Sequence, residues 1–323
     1  MFPGLIDLVS ELVGGVALGA SDEFFAPAAN LVKASDPVFI PEKYTDRGKW
    51  MDGWESRRKR TPGHDWCILR LGLPGVIRAI DVDTSHFLGN FPSHCWLDVS
   101  SAEEVGSIDW TPALSKMRLG GDRHNIFDIE YTGRVTFVRL NIFPDGGVAR
   151  LRVYGEVVPD LAKLRASTEP LDLASVVNGG RALAASDDFF GSLQNLIMPG
   201  HPANMGGGWE TRRRRGPGYD WIILQLGAAS LIQKISVETQ HFKGNYPDRC
   251  SLDACFAPNA LLQDLVTGKV DWEEMLPESA LEADAVRVFE TELKPIGRAT
   301  HVRLNIYPDG GISRLRVFGK IVE

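Results

Sequence analysis

Apolar and polar residues alternate through several short segments of this chain, at the spacing of two that β-strands produce. Across residues 135–142, every second position from Val138 to Ile142 is aliphatic, and Arg139 and Asn141 lie between them. Few segments repeat their apolar positions at the helical spacing. Short strands separated by frequent turns predict an all-β fold of the sandwich or jelly-roll type.

Turn residues follow this segment. The tetrapeptide Pro-Asp-Gly-Gly at 144–147 has strong turn chemistry, and the alternation resumes across residues 148–154. The two flanking segments are therefore predicted to pair as a β-hairpin. In the second of them, the aliphatic residues would face inward, and Arg150 and Arg152 would face outward.

Two further local predictions concern the first part of the chain. The tetrapeptide Gly-Leu-Pro-Gly at 72–75 is predicted to separate a strand at 66–71 from a strand at 76–84. Residues 1–18 are mostly apolar but contain acidic residues, and they lack the basic start and the cleavage site of a signal peptide. A short amphipathic helix is expected there.

The chain contains an internal duplication. The segment GWESRRKRTPGHDW at 53–66 returns as GWETRRRRGPGYDW at 208–221, with ten of fourteen residues identical and an offset of 155. The segment RLNIFPDGGVARLRVYG at 139–155 returns at 303–319, with thirteen of seventeen residues identical and an offset of 164. A repeat of this length predicts two tandem copies of one domain.

The changing offset locates the differences in length between the copies. ASDEFF at 20–25 returns as ASDDFF at 185–190 with an offset of 165, so the first copy has ten extra residues before its GWE motif. The second copy has nine extra residues later, before its RLN motif. The predicted domains are residues 1–165 and 166–323, joined through a polar, proline-containing segment.

Composition narrows the class of protein and its partners. Hydrophobic residues make up 44% and charged residues 24% of the 323, as in soluble globular proteins. A net charge of -7 argues against a nucleic-acid binder or a protein held on anionic membranes. No apolar run approaches the roughly 20 residues of a membrane helix. Four cysteines without CxxC spacing are expected to be reduced core thiols in a cytoplasmic protein.

Polar residues that return in both copies predict a binding or catalytic site, because a duplicated fold needs its apolar pattern more than its exposed charges. In the first motif, Glu55 is a candidate general base, and Arg57 and Arg58 offer forked donors for a carboxylate or a ureido carbonyl. A solvated basic loop is the alternative for a single charge run. The return of this run beside Glu210 favours a site.

The second motif contains one histidine in each copy. His86 and His241 are candidates for proton transfer, because imidazole titrates near neutral pH. They are also candidate ligands of a divalent metal ion, although no HxH, HExxH or His/Cys cluster accompanies them. The alternative is a histidine that packs in its loop and makes one hydrogen bond there.

The third motif would place Arg139, Asn141, Arg150 and Arg152 on one face of the predicted hairpin. Burial of these cations would require carboxylates or a bound anion nearby. Structural ion pairing and a binding site are equally consistent with the pattern. The turn residue Asp145 is explained either as part of the site or as a residue that shapes its turn.

The order of the motifs, G-W-E-[ST]-R-R-x-R, P-G-x-D-W, T-x-H-F-x-G-N and R-L-N-I-[FY]-P-D-G-G, resembles the allantoicase family. The resemblance extends from Ser21 to Gly319. It implies two tandem jelly-roll β-sandwich domains of the galactose-binding-like kind. It also implies hydrolysis of allantoate to ureidoglycolate and urea in purine degradation, and assembly into homo-oligomers.

The residues suit such a substrate, which carries one carboxylate and two ureido groups on one carbon. The carboxylate and the ureido carbonyls require Arg or Asn donors, and the NH groups require Glu or Asp acceptors. The candidate acid–base residues are His86, His241, Glu55 and Glu210. The candidate substrate-binding residues are Arg57, Arg58, Asn90, Arg139, Asn141, Arg150, Arg212, Arg213, Asn245, Arg303, Asn305 and Arg314. A divalent metal ion is the alternative source of the chemistry, and no cofactor is otherwise predicted.

Three other functions compete with this one. A noncatalytic jelly roll that binds a carbohydrate or another small ligand would need exposed aromatic platforms, whereas the repeated loops here are charged. A hydrolase acting on ureidoglycolate would use similar residues. Nucleic-acid binding through residues 57–60 and 212–215 fits poorly with a pI of about 5.6.

Overall fold

The computed structural model describes residues 4–322, which form two compact units, Gly4–Val158 and a second unit that begins at Pro159. Each unit is built almost entirely of antiparallel strands, so the predicted all-β class is confirmed. The two α-helices are five and six residues long. No helix within residues 4–322 has the length and hydropathy of a membrane-spanning segment.

The first unit contains twelve strands and three 3-10 turns. The strands are β1 (Ile6–Asp7), β2 (Val16–Ala20), β3 (Tyr44–Thr45), β4 (Gly48–Lys49), β5 (Trp54–Glu55), β6 (Asp65–Asp83), β7 (His94–Ser100), β8 (Thr111–Arg118), β9 (His124–Asp128), β10 (Val135–Phe143), β11 (Gly147–Val148) and β12 (Arg150–Val157). The 3-10 turns are Glu11–Val13, Ala28–Val32 and Val105–Ser107.

The second unit repeats this order without the β3–β4 hairpin and adds two short helices. Its elements are α1 (Leu161–Arg165), β13 (Leu171–Asp172), β14 (Arg181–Ala185), β15 (Trp209–Glu210), β16 (Asp220–Glu238), β17 (Arg249–Cys255), α2 (Leu262–Thr267), β18 (Glu273–Ala280), β19 (Val286–Phe289), β20 (Ala299–Tyr307), β21 (Gly311–Ile312) and β22 (Arg314–Ile321). The 3-10 turns are Val176–Asn178, Leu193–Ile197 and Met205–Gly207.

One long strand belongs to both layers of each sandwich. The first half of β6 pairs with β2 and β10, and its second half pairs with β12 and β9. The sheet continues from β10 to β7 and β8, and β1 pairs with β12. The second unit has the same arrangement around β16. The jelly-roll prediction is confirmed in both copies.

The predicted turn at 72–75 is therefore wrong, because these residues lie inside β6. Gly72 and Gly75 allow the neighbouring main chain to approach closely, and they do not reverse the direction of the chain. A Cβ atom on Gly72 would lie 2.3 Å from the carbonyl oxygen of Val13, and one on Gly75 would lie 2.3 Å from that of Glu156. Strand β6 can pass between its neighbours here only without side chains at these two positions.

The predicted hairpin around residues 144–147 is also wrong. Strands β10 and β12 do not pair with each other, because each pairs with β6, which lies between them. The predicted burial of the aliphatic positions of β10 is confirmed, since Val138, Leu140 and Ile142 are fully buried. Local turn chemistry indicated where the chain bends, whereas the strand pairing depends on residues 60 or more positions away.

The predicted opening helix is wrong for the described part of that segment. Residues Ile6–Asp7 pair with β12, Glu11–Val13 form one 3-10 turn, and Val16–Ala20 pair with β6. The reason is a tertiary anchor: the Asp7 carboxylate accepts a hydrogen bond from the Val153 amide at 2.9 Å. Burial, opposed by this bond and by Arg152, raises the pKa of Asp7 to about 6.

The core lies between the two layers of each unit. The indole rings of Trp54 and Trp209 are fully buried, and each ring nitrogen donates to a main-chain carbonyl, of Asp22 and Asp187, at 2.8 Å. The expectation of reduced core cysteines is confirmed, because all four are buried and unpaired. These are Cys67, Cys95, Cys250 and Cys255.

Candidate functional site

Each unit contains an open cleft, and the two clefts are lined by equivalent residues. The cavity volumes are about 590 and 510 Å³. The first cleft is lined by Phe25, Glu55, Ser56, Arg58, Lys59, Gly89, Asn90, Phe91, Ser93, Pro144, Asp145 and Gly146. The second is lined by Phe190, Glu210, Thr211, Arg213, Arg214, Gly244, Asn245, Tyr246, Asp248, Pro308, Asp309 and Gly310. Eight of the twelve positions carry the same residue type in both.

Main-chain contacts hold the segments that form the cleft together. The amide of Gly147 donates to the carbonyl of Asn90 at 2.7 Å, and the amide of Ser56 donates to the carbonyl of Gly146 at 3.2 Å. Gly146 has a φ of 136°, and a Cβ atom there would lie 2.6 Å from the Asn90 carbonyl oxygen. The turn therefore requires glycine, and it fixes the position of Asn90 against β5.

A glutamate and an asparagine form a hydrogen-bonded pair in each cleft. The Asn90 amide donates to Glu55 Oε1 at 2.7 Å, and the Asn245 amide donates to Glu210 Oε1 at 2.6 Å. Burial raises the pKa of Glu55, and the bond from Asn90 opposes this effect. Within residues 4–322 the second carboxylate oxygen of each glutamate makes no hydrogen bond, so it remains available to a ligand.

One arginine in each cleft lacks an internal partner. Arg58 and Arg213 are exposed, and within residues 4–322 neither makes an ion pair or a side-chain hydrogen bond. The next residue is different, because Lys59 contacts Asp65 at 2.7 Å, and Arg214 pairs with Asp220. Each cleft thus offers one free guanidinium, which suits the carboxylate of a small ligand.

The turn aspartate connects two of the repeated motifs. Asp145 accepts a hydrogen bond from the amide of Lys59 at 2.8 Å, and Asp309 accepts the same bond from Arg214 at 2.8 Å. These contacts join residues 86 and 95 positions apart. The aspartates line the clefts, and their carboxylates hold the first motif against the turn. Their part in ligand binding stays a prediction.

The other arginines of the predicted set are held by internal carboxylates. Arg57 pairs with Asp22 at 2.6 Å, and Arg212 pairs with Asp187 at 3.1 Å. Arg139 makes two hydrogen bonds to Asp98, at 2.7 and 3.0 Å.

The two asparagines on the sheet face belong to the same ion-pair networks. Asn141 donates to Asp98 at 2.9 Å, and Arg303 and Asn305 repeat these contacts with Asp253. None of these side chains lines a cleft. For this motif the structure favours ion pairing over ligand binding.

Arg150 lies deepest of all, contrary to the prediction that it faces outward. Its side chain is fully buried and pairs with Asp52 at 2.7 Å. Its other nitrogens donate to the carbonyls of Ser35, Asp52 and Ala149. Arg314 is also buried but donates to main-chain carbonyls, and burial lowers its pKa to about 10. The loop before β5 covers Arg150. Alternation within a strand predicts which way a side chain points, but not that a distant loop will cover it.

The two histidines lie outside the residues that line the clefts. His86 has a φ of 70°, its amide donates to Asp122 at 2.7 Å, and its Nε2 lies 3.2 Å from the Pro37 carbonyl. His241 repeats this geometry with Asp284 and with the Pro202 carbonyl at 2.9 Å. A ring fixed to a main-chain carbonyl holds its loop in place.

We expect His86→Gln and His241→Gln, combined in one chain, to leave kcat within about threefold of the wild type, since loss of a general acid or base costs about 100-fold or more. Glutamine can still donate to the Pro37 and Pro202 carbonyls. The measurement is kcat for the hydrolysis that the sequence resemblance implies, with circular dichroism to verify folding. A 100-fold loss of kcat in a folded variant would instead show that the histidines act in proton transfer.

Some cleft residues were missed by sequence reasoning. Phe25 and Phe190 line the clefts, and the repeat of ASDEFF as ASDDFF was the signal that could have identified them. Ser93 and Asp248 were missed because they differ between the copies. For a metal ion, residues 4–322 contain no group of three or more His, Cys, Asp or Glu side chains placed to hold one.

The chain matches a family model described as the allantoicase repeat twice, over residues 6–158 and 171–322. It is 47% identical to a probable allantoicase of Burkholderia pseudomallei, over 98% of this chain and 95% of that protein. It is 46% identical to a probable allantoicase of Photobacterium profundum, over 98% of this chain and 97% of that protein.

A solved structure agrees with these matches. The crystal structure of allantoicase from Saccharomyces cerevisiae superposes with a TM-score of 0.80 at 35% identity, covering 98% of this chain and 93% of that chain. The likeness therefore extends over both units.

Proposed function

This chain belongs to the allantoicase family, and from that membership we propose that it hydrolyses allantoate to ureidoglycolate and urea. The observation that carries the assignment of the site is the pair of equivalent clefts, each with a free arginine beside a hydrogen-bonded Glu–Asn pair. Both features match the groups that allantoate presents.

The substrate fits the cleft group by group. In the first cleft, the Arg58 guanidinium binds the carboxylate, because it is the cation there without an internal partner in residues 4–322. The free oxygens of Glu55 and Asp145 accept hydrogen bonds from ureido NH groups. Arg213, Glu210 and Asp309 make the same contacts in the second cleft.

Glu55 is the acid–base residue of the first cleft in this proposal, and Glu210 is that of the second. The carboxylate takes a proton from water while the water oxygen bonds to the central carbon and the bond from that carbon to the ureido nitrogen breaks. The proton then passes from the carboxyl group to the departing nitrogen, and urea leaves. The carboxylate is regenerated, so no net proton is gained or lost. The raised pKa of Glu55 suits a group that must both accept and return a proton.

The experiment that tests this function is urea release from allantoate by the purified protein, before and after treatment with a chelator. We expect rapid release that survives the chelator, because Glu55 and Arg58 belong to the chain itself. Loss of activity that a divalent ion restores would transfer activation of water from Glu55 to that ion. Absence of urea under every condition would favour a noncatalytic ligand-binding protein.

Two wider predictions from the sequence are also part of this proposal. We propose that the protein acts in the cytoplasm, which the four unpaired buried cysteines support. We further propose that it forms a homo-oligomer. Sedimentation velocity at several protein concentrations measures the oligomeric state, and a single species of 35.6 kDa would contradict the second proposal.

A further inference from the structure

The two clefts share their inner residues but differ in charge at the rim. The rim is formed where β7 begins beside β8 in the first unit, and where β17 begins beside β18 in the second. Strand register makes His94 and Arg118 neighbours in one unit and Arg249 and Ala280 neighbours in the other. The corresponding rims can therefore be compared position by position.

The rim of the first cleft is cationic. The ammonium of Lys116 lies 3.5 Å from the ring centroid of Phe143, the residue directly before Pro144 of the cleft. Arg118 pairs in register with His94, next to Ser93, which also lines the cleft. Within residues 4–322 neither Lys116 nor Arg118 forms an ion pair, so their charges are not neutralised by the protein.

The rim of the second cleft is acidic at the equivalent positions. Asp248 replaces Ser93 in the lining of the cleft, and Glu278 replaces Lys116 in the strand register. Arg249 lies between these two carboxylates, 3.2 Å from Asp248 and 2.7 Å from Glu278. One cation shared by two carboxylates leaves a net negative charge.

From this contrast, and resting on the proposed function, we propose that the two clefts of one chain select ligands by charge. The first cleft binds anionic ureides more tightly, and the second discriminates against them relative to uncharged ureides. Lys116 and Glu278 are the residues that determine this selectivity. Neither touches the reacting groups, because both lie on the strand beside the cleft and outside its lining.

The expected difference follows from Coulomb interactions at a solvated rim. For a singly charged ligand at low ionic strength, the opposite rim charges should separate the two dissociation constants by about tenfold. Salt at about 1 M should remove most of the difference, because the Debye length falls to about 3 Å. An uncharged ligand should show little difference under either condition.

The test uses two probes of nearly the same shape, the anion ureidoacetate and the neutral ureidoacetamide. Both carry one ureido group. Titrations are followed by NMR through the amide signals of Gly146 and Gly310, each of which lines one cleft, so each cleft reports its own dissociation constant. Wild-type protein should bind ureidoacetate about tenfold more tightly at the Gly146 cleft, and ureidoacetamide about equally at both.

Single charge-reversing substitutions then give each rim the charge of the other at one position. Lys116→Glu should weaken ureidoacetate binding by about fivefold at the Gly146 cleft only, and Glu278→Lys should strengthen it by a similar factor at the Gly310 cleft only. Lys163→Glu is the matched control for Lys116→Glu, because it makes the same change in net charge on α1, outside both linings. It should change neither constant.

Equal dissociation constants for ureidoacetate in the wild type would overturn the inference, as would reversals that act like the control. Urea release from allantoate is measured on the same samples. Retained urea release with equal constants would refute charge selection alone and leave the proposed function standing. No urea release and no ureide binding would refute both.

Discussion

A chain in which Glu55 and Glu210 are both replaced by glutamine loses at least about 100-fold in kcat for urea release from allantoate, the effect of removing a general acid–base residue. Glutamine has nearly the same shape, and its carbonyl oxygen still accepts the hydrogen bond from Asn90 or Asn245. What it lacks is a carboxylate that takes a proton from water. The loss should therefore appear in kcat more than in KM.

The single variants divide the activity between the clefts. Glu55→Gln alone leaves the rate of the second cleft, and Glu210→Gln alone leaves the rate of the first. Glu103→Gln is the control, because Glu103 is exposed and its ion-pair partner within residues 4–322 is Arg134, at 2.8 Å. A double variant that retains more than a tenth of the wild-type kcat would be incompatible with a general-base role for these glutamates.

Acid should reduce the same activity. Burial raises the pKa of Glu55 above its ordinary value, so the carboxylate needed as a base is protonated at a higher pH than a solvated glutamate would be. As pH falls through this raised pKa, kcat/KM for the first cleft declines. The pH profile of the Glu210→Gln variant isolates that cleft.

Replacement of Arg150 by methionine lowers the free energy of unfolding by about 3 kcal/mol or more, because it leaves a buried carboxylate without its main partner. Burial tends to raise the pKa of Asp52, and the hydrogen bonds from Arg150 and Lys33 hold that pKa below its ordinary value. After the substitution, the charged partner that remains among residues 4–322 is Lys33, at 3.0 Å. Differential scanning calorimetry measures the loss.

Arg314→Met is the matched control in the other unit. Arg314 is buried at the equivalent position but donates to the carbonyls of Gly200, Gly207 and Ser313. In the described part of the chain, no carboxylate accepts a hydrogen bond from it. Its removal leaves polar but uncharged groups without donors and relieves the burial of a cation. We expect a loss of about 1–2 kcal/mol. Equal losses in both variants would contradict the importance of the Asp52 ion pair.

The fold could be predicted from the sequence wherever the controlling interaction is local or repeated. Alternation identified β10 and β12 as strands, and the duplication required two copies of whatever fold was present. Which strands pair with each other could not be predicted in the same way. The turn at 144–147 suggested a hairpin, but β6, which precedes that turn by more than 60 residues, inserts between the two strands.

The candidate site could likewise be predicted only where the sequence around a residue determines its role. Repetition drew attention to Glu55, Arg58 and Asn90, which the fold brings into one cleft. It also selected Arg57 and Arg139, which are repeated because their ion-pair partners are repeated. Whether a repeated arginine meets a ligand or an aspartate depends on partners at distant positions, which spacing does not specify.

Because one continuous strand runs through both layers of each unit, the two layers cannot unfold independently of each other. Residues 65–83 form one ladder that joins β2 and β10 on one side of its bend to β9 and β12 on the other. Detaching either layer would strip half of this ladder of its hydrogen bonds. The two layers therefore belong to one cooperative unfolding unit, and slow amide exchange should appear in both paired parts of the strand, residues 65–70 and 75–83.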